Sequence, residues 1–228
     1  MEYGQFCPIA KASEIIGEKW TILIIREILM GSRRFSELQR GLGTISPSLL
    51  TRRLTDLEDR GMIFRKKTSG QRSYEYFPTE SCKELRPILL SLGEWGMRWA
   101  RSNLRAQDYD VELLMLYLQR SVRTDKLPEV ETVIRFSFTD MTDKADWWLI
   151  ATDGEVDACD KDPGKDVDVY FTTTVSTMAD IWMGRSSYRK AKRSKEISII
   201  GNRYLVDNVA TWMENSIFQE LPPAENIL

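Results

Sequence analysis

The sequence predicts an α+β chain in two parts, and three observations predict it. Charge is divided unevenly: residues 1–106 carry 18 Lys+Arg against 12 Asp+Glu, while residues 107–228 carry 14 against 22, leaving −2 overall. In the first part, three short helical patterns precede two extended runs with a glycine-bearing loop between them. In the second part, strand and helix patterns are mixed over about 120 residues. Charge changes sign within SNLRAQDYD, Ser102–Asp110. The expected domains are therefore 1–106 and 107–228, a basic half and an acidic half with different partners.

Each element of the first part has a local cause. Trp20, Leu23, Ile24 and Ile28 recur at helical spacing, and Gly31 stops that helix. Phe35–Leu42 predicts a second helix, with Ser36 near its start and Gly41 and Gly43 at its end. The third begins at Ser46-Pro47, a hydroxyl cap followed by a proline suited to a first turn. Leu50, Leu54 and Leu57 share its inner side, and Gly61 ends it. The runs MIFRKK and SYEYFP, joined by residues 68–72, predict a β-hairpin. Three short helices and a hairpin make a winged helix-turn-helix arrangement. A long helix over roughly 80–101 follows, with Leu85, Ile88, Leu89, Leu92, Trp95 and Trp99 on one stripe; Pro87 should kink it or start its straight part. The two tryptophans suggest a partner chain, or packing on the chain's own first helix.

In the second part, Val111–Leu118 predicts a helix, and TVIRFSFTD, DWWLIATDG and DVDVYFTTT predict three strands. Helices at Val175–Met183 and Ser186–Lys195, a strand at ISII, and a last helix over Tyr204–Phe218 complete the unit. The acidic run of Asp153, Asp157, Asp160, Asp162, Asp166 and Asp168 does not fit a calcium loop, because Gly154 falls too early and the closing Glu is missing. A solvated turn region is expected there.

Composition narrows the function. Histidine is absent, which removes Ser/Cys–His catalysis and the commonest metal ligand, so no enzyme, cofactor or metal is expected. Cys7, Cys82 and Cys159 are too widely spaced for a disulfide framework or a zinc knuckle. No apolar run reaches the roughly 18 residues of a membrane span and no secretory signal opens the chain, so a cytoplasmic protein is expected.

The basic element lies around the third helix. Residues 33–72 hold ten Lys+Arg against four Asp+Glu. At 100° per residue, Ser48, Thr51, Arg52, Thr55 and Asp59 face away from the leucines. Short donors and one long cation can approach base edges, and Arg52 can bond both acceptors of a guanine. Arg53, beside the buried edge, suits a phosphate or an intramolecular carboxylate. Arg33 and Arg34 precede the second helix, and Arg65, Lys66, Lys67 and Arg72 lie on the wing or at its base, where cations supply affinity and register on duplex DNA.

The stretch CPIAKASEIIGEKWTILIIREILMGSRRFSELQRGLGTISPSLLTRRLTDLEDRGMIFRK, with the later SLGEWG, resembles the HxlR-type bacterial transcription regulators, relatives of MarR-type winged helices. The resemblance covers about residues 5–104. It implies a homodimer, joined through the N-terminal segment and the 80–101 helix, on a pseudo-palindromic operator. It places Ser46, Ser48, Thr51 and Arg52 on the recognition helix, Arg33 and Arg34 before the second helix, and Arg65, Lys66 and Lys67 in the wing. Two-fold symmetry would set recognition helices about 34 Å apart, or a multiple of it. Some members of the family sense oxidants or electrophiles at the position of Cys7. That chemistry needs a lowered thiol pKa from a cation such as Lys11 or from a helix N-terminus. The plainer expectation for Cys7 is a small apolar anchor of the arm; Cys82 and Cys159 are expected to pack.

The acidic half is rich in aromatics. Trp147, Trp148, Phe171, Trp182 and Trp212 are core candidates that together could line an apolar cavity, and adjacent Trp147 and Trp148 must point to opposite sides of their strand. The order of elements through MADIWMGRSSYRKAKRSKEISIIGNRYLVDNVATWM resembles the sterol-carrier-protein-2 domain over about residues 108–220. It implies an SCP2-like α/β domain with a tunnel for apolar molecules and no catalytic set. The combined expectation is a dimeric, sequence-specific transcription regulator, modulated by an apolar ligand or by Cys7 oxidation. The alternative is a lipid carrier whose basic half docks anionic membranes. Against it, the cations surround a helix-turn-helix and do not line one amphipathic helix.

Overall fold

The structure, a computed structural model, describes residues 2–67, 73–100 and 104–221, and the chain divides into two units, Met1–Trp95 and Gly96–Leu228. The division falls inside a helix, just before the expected stretch, of which Ser102 and Asn103 lie outside the described residues.

In the first unit, Pro8 stands in the first turn of α1 (Pro8–Ile16), where its missing N–H costs nothing. Helix α2 (Thr21–Leu29) starts after Trp20, not with it, because Trp20 is left-handed at φ 79°. The expected stripe moves accordingly: Leu23 is exposed, and Ile24, Ile25, Ile28 and Leu29 are the buried apolar residues. In α3 (Phe35–Leu42), the Glu37 carboxylate accepts the N–H groups of Arg33 (2.7 Å) and Arg34 (3.0 Å), closing the helix start. Helix α4 (Pro47–Asp59) begins as the sequence indicates, with the Ser46 hydroxyl accepting the Leu49 N–H at 3.3 Å. Its Leu50, Leu54 and Leu57 are buried with Leu38, Met62, Ile63 and Cys82.

Strands β1 (Ile63–Lys67) and β2 (Tyr74–Pro78) pair antiparallel from Ile63↔Pro78 to Lys67↔Tyr74. The hairpin loop, including Arg72, lies outside the described residues. The expected 80–101 helix is two helices, α5 (Glu80–Lys83) and α6 (Arg86–Trp99). Pro87 occupies the first turn of α6, so it begins a helix and does not bend one. Arg86 donates to the Leu29 carbonyl at 2.7 Å, tying that start to the end of α2.

The second unit runs α7 (Val111–Ser121), β3 (Thr132–Phe138), β4 (Asp146–Thr152), β5 (Glu155–Cys159), β6 (Val169–Thr173), α8 (Val175–Trp182), α9 (Tyr188–Arg193), β7 (Ile197–Gly201), α10 (Arg203–Asp207) and α11 (Val209–Trp212). Its sheet order is β5-β4-β3-β6-β7; β3 and β6 run parallel and every other neighbouring pair antiparallel. One sheet face carries Ile134, Phe136, Phe138, Trp147, Leu149, Phe171, Ile197 and Ile199 into a core closed by α7, α8, α9 and α11.

Two expectations fail here. Strand β5 occupies the start of the acidic run. Asp153 (φ 54°) and Gly154 (φ 82°) form a two-residue hairpin turn, pairing Thr152 with Glu155. The last helix is also shorter and broken: α10 ends at Asp207, α11 ends at Trp212, and the chain past it is claimed by a distant segment. The Trp212 carbonyl accepts the Arg123 N–H (2.7 Å), and the Glu214 N–H reaches the Ser121 carbonyl (2.8 Å).

Candidate nucleic-acid interface

Helix α3 is held against α2 by a buried carboxylate that sequence reasoning missed. Glu27 of α2 is fully buried. Its Oε1 accepts the Arg26 Nε–H at 3.0 Å, with Arg26 Nη2 at 2.9 Å completing the ion pair, and its Oε2 accepts the Ser32 hydroxyl at 3.2 Å. Arg26 Nη2 also donates to the Gly41 carbonyl of α3 at 2.9 Å. A Cβ on Gly41 would lie 2.2 Å from Glu27 Oε2, so only glycine allows this approach. A buried charge demands such pairing. The only sequence signal was the charged pair Arg26-Glu27 inside a largely apolar helix.

With Leu50, Leu54 and Leu57 in the core, α4 presents its outer side. Ser48, Thr51, Arg52, Thr55 and Asp59 are all exposed. Thr51 and Thr55 donate their hydroxyls to the carbonyls of Pro47 (2.9 Å) and Thr51 (3.2 Å), which leaves oxygen lone pairs able to accept. Ser48 lies 3.3 Å from the Ser46 capping hydroxyl. Arg52 has no ion pair or hydrogen bond among the described residues. A free guanidinium on a fixed helix, beside short hydroxyls, is chemistry suited to base edges.

The other predicted cations divide into two groups. Arg34 faces Glu75 at 3.8 Å, and Arg65 faces Glu58 at 3.5 Å with its guanidinium 4.8 Å from the Tyr74 ring. Exposed pairs of this kind are worth little and can be exchanged for phosphate. Lys66 lies over Phe77 and Phe64, 5.2 and 5.5 Å from their centroids; Lys67 is exposed, as is Ser36 in the first turn of α3. The second group is committed internally. Arg53 bonds Glu18 (2.8 Å), Asp56 (3.1 Å) and the Lys19 carbonyl (3.2 Å), so of its two expected roles the intramolecular pair is the one found. Arg33 donates to the Ile28 (2.6 Å) and Ser32 (3.1 Å) carbonyls and stacks on Phe77, bracing the end of α2. Its position before α3 is as expected, but those donors are spent.

The five aromatic candidates of the second unit do not converge. Trp148 lies on the sheet face opposite Trp147, with the Arg135 guanidinium 5.4 Å from its ring. Trp147 donates to the Lys144 carbonyl (2.9 Å), Trp182 to the Ser121 hydroxyl (2.9 Å) and Trp212 to the Leu205 carbonyl (2.9 Å). Phe171 stacks on Phe136 at 4.6 Å, with Trp212 edge-on at 6.2 Å, while Trp182 stacks on Tyr117 at 4.7 Å. Trp148 apart, these side chains pack in or against the core. An unforeseen group sits among them: the Tyr188 hydroxyl is buried without a hydrogen-bond partner among the described residues, and burial pushes its pKa up. Cys7 stands at the N-terminus of α1, but the cation expected to activate it, Lys11, pairs with Glu14 at 3.0 Å. Burial pushes the Cys82 thiol up to about 11. The Cys159 thiol is also raised, by burial and by Asp160 and Asp157. No helix among the described residues is long and apolar enough to cross a membrane.

A helix-turn-helix with a two-stranded wing and an exposed polar face on α4 defines a DNA-binding transcription regulator. Comparison with known proteins agrees. Residues 15–104 match the HxlR-like helix-turn-helix family, and residues 113–214 match the SCP-2 sterol transfer family. The chain is 35% identical over 101 residues to the uncharacterised helix-turn-helix-type regulator YvaP of Bacillus subtilis (strain 168), covering 43% of this chain and 94% of YvaP. It is 32% identical over 106 residues to YkvN of the same strain, covering 46% of this chain and 90% of YkvN. A solved structure described as a MarR-family regulator from Porphyromonas gingivalis W83 is 32% identical, covers 41% of this chain and 92% of that one, and has a TM-score of 0.38. The chain belongs to the HxlR-like helix-turn-helix regulators and carries an SCP-2 domain behind the winged helix.

Proposed function

We propose that two copies of this chain bind a pseudo-palindromic DNA operator in the cytoplasm. Ser48, Thr51 and Arg52 read bases, and Arg34, Ser36, Ser46, Arg65, Lys66 and Lys67 hold phosphates. The observation that carries the reading is the exposed outer side of α4, with Arg52 unpaired among the described residues while its neighbour Arg53 is fully used. Dimerisation through α6 and the N-terminal segment is supported by the exposure of Ile88 (56%), Leu92 (46%), Trp95 (58%) and Trp99 (48%) on a helix with no buried residue. An exposed apolar stripe of this size calls for a protein partner.

The second unit would act as an effector domain. The Tyr188 hydroxyl, buried without a hydrogen-bond partner among the described residues, supports an apolar ligand with one polar end, since such a ligand would satisfy it. Oxidation of Cys7 is the other proposed input, and rests on its place at a helix N-terminus.

The test is selection of bound genomic fragments by the purified chain, followed by sequencing and footprinting. The expected outcome is enrichment of inverted repeats with half-sites about 34 Å apart or a multiple of that. Recovery of fragments without a shared sequence would overturn it. Fatty acids and sterols that leave tryptophan fluorescence and the melting temperature unchanged would remove the ligand arm, and a Cys7→Ser variant with an unchanged oxidant response would remove the redox arm.

A further inference from the structure

Six basic residues and no acidic ones lie between Arg185 and Lys195, inside the half of the chain whose balance is otherwise acidic. Elsewhere in that half, Arg123, Lys126, Arg135, Lys144, Lys165 and Arg203 each face a carboxylate, and Lys161 is an isolated cation without one among the described residues. In the α9 segment only Arg185 does, with Asp180 at 3.2 Å, while Lys192 donates to the Val206 carbonyl at 3.3 Å. Arg189, Lys190, Arg193 and Lys195 are exposed and make no ion pair among the described residues. Four uncompensated cations on one short element repel one another, and an anionic partner would relieve that repulsion.

These charges are carried rigidly. Tyr188 and Ala191 bury the inner side of α9, and Tyr188 meets the Phe171 ring edge-on at 6.4 Å. The Ser187 hydroxyl caps the helix start by accepting the Lys190 N–H at 3.2 Å. Lys195 ends it in the left-handed region at φ 62°, a place where glycine or asparagine is the usual choice. A helix dipole favours cations in the last turn. Arg189, at the second position of the helix, and Lys195, beyond its end, fall outside that explanation.

We propose that the α9 cations form a second phosphate-binding surface, which engages duplex DNA flanking the site read by α4. The inference rests on the DNA-binding reading above. Once a winged helix is seated on DNA, the attached second unit meets flanking phosphates at high effective concentration, so individually weak contacts count. A fixed cluster of point charges suits a sequence-independent backbone contact.

The test uses the full chain and a random-sequence duplex of about 60 base pairs, with affinity measured across potassium chloride concentrations. One variant replaces Arg189, Lys190, Arg193 and Lys195 with Gln. A second keeps the charges by exchanging each Lys for Arg and each Arg for Lys. The Gln variant is expected to flatten the slope of log affinity against log salt by about 2–4 and to lose about 10-fold or more affinity at low salt, with an unchanged melting temperature. The exchanged variant is expected to keep the wild-type slope. A wild-type slope in the Gln variant, while Lys66→Ala still flattens it, would overturn this surface alone. Wild-type protein that binds no duplex would overturn both this inference and the reading beneath it. Loss of binding to phosphatidylglycerol vesicles by the Gln variant, with its DNA slope unchanged, would assign the patch to a membrane and overturn the proposal.

Discussion

Helices α2 and α6 are both strongly apolar in sequence, and the structure treats them in opposite ways. Six of the nine residues of α2 are buried, including Ile24, Ile25, Ile28 and Leu29; none of the fourteen residues of α6 is. Periodicity marks a side that needs cover, and it is silent on what supplies it. For α2 the cover is Leu38, Leu50, Leu54 and Cys82 of the same unit. For α6 the same physics leaves Ile88, Leu92, Trp95 and Trp99 facing water in a single chain, which is how half of an interface looks.

The sharpest way to break this contrast is to charge α6. A Leu92→Glu, Trp95→Glu double variant should keep its circular dichroism spectrum, sediment as a monomer and lose about 10²–10⁴ in affinity for a two-half-site DNA, because the second half-site is no longer held at high effective concentration. A variant that remains dimeric would return α6 to the role of an ordinary surface helix. The complementary change in α2, Ile28→Ala, removes fully buried packing and should cost about 2–5 kcal/mol in urea unfolding. A smaller effect tests how α2 supports its neighbour. Gly41→Ala pushes a methyl onto the buried Glu27 carboxylate and should cost about 1–3 kcal/mol. Unchanged stability there would mean that α3 can move away from α2 freely.

Local signals carried much of the first unit. The serine cap, the proline after it and the three leucines of α4 are neighbours in sequence and act over one or two turns, so their reading needed no tertiary knowledge. The wing followed from the same logic. What could not be read was the use of each cation: Arg53 is committed to Glu18, 35 residues away, and Arg33 to carbonyls that become available only where α2 ends. Strand β5 was legible and was missed. Asp153-Gly154 between alternating runs is a strong hairpin signal, but Glu155 and Asp157 on the outer side hid the alternation whose inner members are Val156 and Ala158. The break after Trp212 has a non-local cause, since residues 121–123 take up the backbone there. The opposite facing of Trp147 and Trp148 followed from strand geometry, whereas the filling of the core around Phe171 and Trp212 depended on the fold as a whole.

The free side of α4 is what everything else in the functional reading depends on, and one titration addresses it directly. A fragment recovered by genomic selection and a random duplex are titrated with the wild-type chain, Arg52→Ala and Lys66→Ala. The expected result is that Arg52→Ala loses about 1–3 kcal/mol on the selected fragment and much less on random DNA. Lys66→Ala should weaken both by the same factor and flatten the salt dependence. Equal losses on the two DNAs for both variants would mean that Arg52 touches only the backbone, and that α4 is not the element that reads sequence.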